Sequence, residues 1–101
     1  MAMDWVNEYF RLHSDGRFSP AMVLHDGTKL SVQASWGHYC SPRQDRAIPY
    51  DSVEIGFPSV KIDELMEYAE DSDRPTDTVY GYVPVDVVNK VIESRGGIKN
   101  L

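Results

Sequence analysis

Cysteine is almost missing from this chain: Cys40 is the only one in 101 residues. A lone thiol excludes an internal disulfide, and a reducing cytoplasm is the expected compartment. Long apolar runs are missing too. No stretch approaches the roughly 20 apolar residues of a membrane-spanning helix. Met1-Ala2-Met3-Asp4 has neither the basic region nor the apolar segment of a signal peptide. Basic residues are outnumbered, with 10 Lys and Arg against 16 Asp and Glu, giving a formal net charge of −6. That balance argues against a broad basic surface for wrapping DNA, so direct DNA binding is not expected. No Walker, GxGxxG or GxSxG pattern occurs, and Gly96-Gly97 reads as a helix stop. Internal repeats, linkers and low-complexity runs are also absent.

What is present suits one domain over residues 1–101. A hydrophobic fraction of 42% at this length can bury a core without metal or disulfide staples. Residues 3–12 read as a short helix, with Asp4 as its cap and Trp5, Val6, Tyr9 and Phe10 on one face. That helix could cover a sheet or reach another subunit. Ala21–His25 is strand-like, and Asp26-Gly27 is a hairpin turn signal. Leu30, Val32 and Ala34 alternate with Ser31, Gln33 and Ser35, the pattern of a half-buried strand. Residues 36–50 form an irregular loop, broken by Pro42 and Pro49. Val53, Ile55 and Phe57 alternate in a third strand that Pro58 stops.

Ile62, Leu65, Met66 and Ala69 have the spacing of an amphipathic helix. Asp71–Pro75 is a turn, and Thr78–Val83 a fourth strand with Val79 and Val83 on one face and Tyr80 and Tyr82 on the other. Pro84 can open a last helix, whose buried stripe is Val87, Val88, Val91 and Ile92. The order α-β-β-β-α-β-α predicts an α+β fold: a small four-stranded mixed or antiparallel sheet, covered on one face by two to three helices. The stripe of the last helix and the Trp5/Tyr9/Phe10 face could also close a homodimer.

Chemistry-bearing residues concentrate in Trp36-Gly37-His38-Tyr39-Cys40-Ser41-Pro42-Arg43. Connecting loops usually favour Gly, Pro, Asn, Asp and Ser rather than two aromatics, a thiol, an imidazole and a guanidinium. Cys40 with His38 permits a thiol-nucleophile reading, since residues two apart in extended chain share a face. No catalytic signature surrounds the pair, and a lone cysteine is more often a small buried apolar group. His13, His25 and His38 lack metal-ligand spacing, and Asp71, Asp73 and Asp77 do not fit a calcium loop, so neither metal nor cofactor is expected.

Two binding readings remain. Residues 63–77 carry Asp63, Glu64, Glu67, Glu70, Asp71, Asp73 and Asp77 against Arg74 alone, a local charge equal to that of the whole chain. An acidic surface of that kind either keeps a helix face soluble or fits a basic groove on another protein. With Trp36 and Tyr39 it makes a candidate protein-binding surface, for which Asp63, Glu64, Glu67, Glu70, Asp71 and Asp73 are the acidic residues. Alternatively, Arg43 and Arg46 could hold phosphate while Tyr80, Tyr82 or Trp36 stacks a base, with His38 and Gln33 beside them, as in a site for a nucleotide-derived ligand.

Leu30–Ser35 followed by His38–Arg43, and Tyr50–Ser59 followed by Pro75–Pro84, resemble small accessory proteins encoded by phages and mobile elements. The resemblance covers roughly residues 29–98 and leaves the first helix outside it. It implies inhibition of host defence, either as an anti-CRISPR protein acting on a defence component or as a sponge for a nucleotide signal. The expectation is a non-enzymatic binding protein whose partner is a host defence protein.

Overall fold

The computed structural model describes residues 3–101; Met1 and Ala2, part of the segment read as lacking a signal peptide, lie outside the described residues. The first helix, α1 (Trp5–His13), begins where expected: the Asp4 carboxylate accepts from the Asn7 backbone N–H at 3.3 Å. The turn at Asp26-Gly27 also forms, with Gly27 at φ 93° and its N–H bonded to the Leu24 carbonyl. It joins β1 (Met22–Val23) to β2 (Lys29–Gln33), in register Met22↔Leu30. β3 (Ser52–Gly56) and β4 (Val79–Pro84) follow, and all four strands form one antiparallel sheet in the order β1-β2-β3-β4. The second helix, α2 (Val85–Ser94), closes the order. The fold is therefore α+β, and the sheet is antiparallel throughout.

Partnered residues share a face of the sheet, so Val32, Ile55 and Tyr80 line up across three strands and point inward together. Val6, Tyr9 and Phe10 of α1 and Val88, Val91 and Ile92 of α2 complete that core. Both faces offered for a homodimer are thus used inside this chain. α1 is fixed to α2 within the chain: the Val6 N–H donates to Asn89 Oδ1, and Asn89 Nδ2 donates to Asp4 Oδ1. Trp5 is half-buried and donates through Nε1 to Glu93 at 2.7 Å.

Three local expectations need correction. The stretch 62–69 is no α-helix but a 3₁₀ helix, Asp63–Tyr68. Apolar residues three apart share a face in either helix type, so Ile62 and Leu65 are buried as predicted. Ala69 then turns extended and pairs with Tyr80, and the sheet wins over helix propagation. Phe57 does not continue β3: it sits beyond Gly56 at φ 48°, exposed.

The third correction is in β4. Val53 pairs with Val83 and Ile55 with Tyr80, so Gly81 and Tyr82 together face Glu54 alone. This β-bulge breaks the alternation. Tyr80 and Val83 both point into the core, and Tyr82 is turned outward at φ 53°.

The end of the chain is paired as well. Leu24 bridges Ile98, the Lys99 N–H donates to the Val23 carbonyl at 2.7 Å, and the Val23 N–H donates to Asn100 Oδ1. Among the described residues, no helix is long and apolar enough to cross a membrane.

Candidate functional site

The loop 36–50 has no regular structure but is heavily tied. Asn7, buried on α1, donates from Nδ2 to the Tyr50 carbonyl and accepts from the Tyr50 N–H at 2.8 Å. The Tyr50 hydroxyl in turn donates to the Gln44 carbonyl and accepts from the Ala47 N–H. Ser41 and Ser52 pair through both backbone bonds and hydroxyls. Asp45 accepts from the Trp36 N–H and forms an ion pair with Arg17 at 3.4 Å.

Held this way, the loop lays Tyr39 against the outer side of β4. The Tyr39 N–H donates to Glu54 of β3, and its carbonyl accepts from the Tyr82 N–H at 3.0 Å. The ring lies over Gly81, where a Cβ would stand 3.3 Å from the Tyr39 Cβ. Tyr82, 51% exposed, places its ring centroid 5.9 Å from that of Tyr39. Arg43 sits with its guanidinium carbon 5.3 Å from the Tyr39 ring centre and donates from Nε to the Trp36 carbonyl. Trp36 is 69% exposed. Phe18, also exposed, meets His38 edge-on at 5.6 Å.

Beside Tyr39 and Tyr82 opens a groove of about 290 Å³, completed by Tyr68, Glu70, Val79 and Gly81. Glu70 arrives there because its N–H donates to the Val79 carbonyl at the outer edge of β4. Tyr39 of the aromatic loop and Glu70 of the acidic segment, 31 residues apart in sequence, therefore meet at one place. Asp63, Glu64, Glu67, Glu70, Asp71 and Asp73 are all exposed. Among the described residues, ion pairs within the segment involve only Asp63 with Lys61 and Asp77 with Arg74, so most of its charge is uncompensated.

Of the residues suggested for a nucleotide-derived ligand, Arg43 and Trp36 lie together beside Tyr39 and Tyr82, whereas Tyr80, Arg46 and Gln33 are engaged elsewhere. Tyr80 is wholly buried, and its hydroxyl donates to the Pro75 carbonyl, so it cannot stack on a ligand. Arg46 lies against Gly16 and donates to the Asp15 carbonyl. Gln33 is engaged with Ser19 and Ser31. His38 pairs through Nδ1 with the Ser35 hydroxyl at 2.6 Å. Nor do Cys40 and His38 act on each other: the Cys40 thiol donates to the Ser35 and Pro42 carbonyls. Burial is the largest influence on that thiol and pushes its pKa up, away from the reactive thiolate. Among the described residues, no group of three or more His, Cys, Asp or Glu is placed to hold a metal.

Two aromatics of this region escaped the sequence reading, half-buried Tyr68 and exposed Phe18. Tyr68 lies off the apolar 62/65/66/69 pattern, and Phe18 follows the polar stretch His13–Arg17. Being out of phase with the core pattern was the available signal in each case. Fold and surface together define a small α+β domain bearing an exposed aromatic face bordered by carboxylates. No protein-family model matches the chain, and neither a curated protein nor a solved structure matches it.

Proposed function

We propose that this protein is a non-enzymatic inhibitor that binds a protein component of a host defence system. The exposed aromatics Trp36, Tyr39 and Tyr82 form the anchor of the docking surface, and the carboxylates of residues 63–73 form its rim. The observation that carries this reading is the convergence of Tyr39, Tyr82 and Glu70 on one groove. Trp, Tyr and Arg are the residues in which interface energy concentrates. A rim of uncompensated acids steers association toward a basic partner surface. The resemblance to phage and mobile-element accessory proteins directs the choice of partner to host defence.

The test is phage plating on hosts that each carry one defence system, CRISPR–Cas systems first, followed by affinity measurement with the component of the system that is relieved. Expression of the wild-type protein should restore plating in one such host. The triple variant Glu64→Lys, Glu67→Lys, Glu70→Lys should lower affinity at least tenfold, and added salt should weaken wild-type binding steeply. Failure to relieve any system, or an affinity indifferent to salt and to the reversals, would refute the proposal.

A further inference from the structure

The groove beside Tyr39 has a composition more specific than an apolar patch. It is lined by three tyrosines, Tyr39, Tyr68 and Tyr82, and its one charged lining residue is Glu70. Resting on the docking reading above, we infer that this groove receives an arginine side chain of the protein partner.

Three observations support a cationic occupant. Aromatic rings attract cations through the negative potential on their faces. Tyr39 already does so in this molecule, with the Arg43 guanidinium 5.3 Å from its centre. Glu70 supplies the opposite charge, and among the described residues no cation pairs with it. Its backbone is held at the groove through its N–H on the Val79 carbonyl at 2.9 Å. At about 290 Å³ the groove falls just short of the roughly 300–1,000 Å³ of small-molecule pockets, which suits a side chain better than a larger ligand.

Arginine is favoured over lysine by shape. A guanidinium is planar, stacks flat on aromatic rings and presents a fork of N–H donors that matches a carboxylate, while an ammonium is a strongly hydrated point charge. Gly81 matters to this geometry, because without a side chain there Tyr39 lies close over β4 and can form one wall of the groove.

The test is an amide NMR titration of the full chain with three capped tripeptides, Gly-Arg-Gly, Gly-Lys-Gly and Gly-citrulline-Gly, at millimolar concentration. The arginine peptide should give saturable shifts centred on Glu70, Gly81 and Tyr82. Lysine should bind at least threefold more weakly, and uncharged citrulline should give no saturable shift. Glu70→Gln and Tyr68→Ala should each weaken the arginine peptide at least threefold. Equal responses to arginine and lysine, or non-saturating shifts spread over residues 63–77, would overturn the inference. The groove and the wider docking surface fail separately. Partner binding lost in Trp36→Ala but kept in Tyr68→Ala and Glu70→Gln would remove the arginine groove and leave the docking surface standing. A specific arginine titration with no defence system relieved would do the reverse.

Discussion

At the scale of single residues, the contrast between Tyr80 and Tyr82 is the most instructive. They are two apart on one strand, yet one is fully buried and the other stands out at φ 53°. A left-handed conformation costs a residue with a side chain about 1–2 kcal/mol, a cost glycine escapes. Tyr82→Gly relieves that strain, and the greater freedom of glycine in the unfolded chain takes back about 0.5–1 kcal/mol. The expected result is a stability unchanged or raised by up to about 1 kcal/mol, with partner binding weakened, read by urea denaturation beside an affinity measurement. Tyr80→Ala should instead cost about 3–5 kcal/mol, as large aromatic truncations in a core do. A Tyr82→Gly variant as damaged as Tyr80→Ala would show that the bulge is read wrongly. The alternating pattern of β4 could not reveal any of this, because one extra residue inverts the phase of everything beyond it. Gly81 was the one legible hint, since glycine inside a strand often marks a bulge or a close approach. Here it marks both.

Elements with a full turn or a full alternation were readable, and those set by partners far away in sequence were not. β2 and α2 follow from local periodicity, and their buried positions fall close to where the pattern puts them. The 3₁₀ helix was misread because its end is decided by the pairing of Ala69 with Tyr80, which no local pattern contains. The loop 36–50 was read as irregular, yet its shape depends on Asn7, a polar residue on an otherwise apolar helix face. Asn7 satisfies both the N–H and the carbonyl of buried Tyr50. Asn7→Ala leaves those two groups without their partner, so a loss of about 2–4 kcal/mol is expected, at about 1–3 kcal/mol per unsatisfied buried group with partial rescue by water. Hydrogen exchange should quicken at Ala47 and Tyr50 before it does in β3. A loss below about 1 kcal/mol would mean that the loop holds itself without α1.

For the whole molecule, acid sensitivity is set by a few carboxylates that are bonded in the folded state. Burial would raise the pKa of Asp4, but hydrogen bonds from Asn7 and Asn89 outweigh it and hold the carboxyl below its usual value. Backbone N–H groups of Phe18 and Arg17 lower Asp15, and Thr28 together with Arg95 lowers Asp26. A lowered folded pKa contributes stability that is present above the unfolded value of about 4 and is lost as pH falls through the folded value. Urea midpoints should therefore be insensitive to these groups between pH 7 and 5 and fall below about pH 4. Asp4→Asn should be less stable at pH 7 but lose less on acidification; an unchanged acid limb would remove Asp4 from the account. The order of elements was legible at this scale, whereas the meander and its all-antiparallel register had to be seen. Part of the sheet's edge backbone is already used within the chain. On one side the Gly97–Lys99 segment bonds along β1, and on the other Ala69-Glu70 bonds along β4. Those stretches disfavour binding of the proposed partner by an added strand, a mode that tolerates many sequences because it reads main-chain groups. Under the proposed function, recognition then falls to side chains, so the proposed partner could escape by changing a few residues, and this protein could follow by changing its own without disturbing the fold.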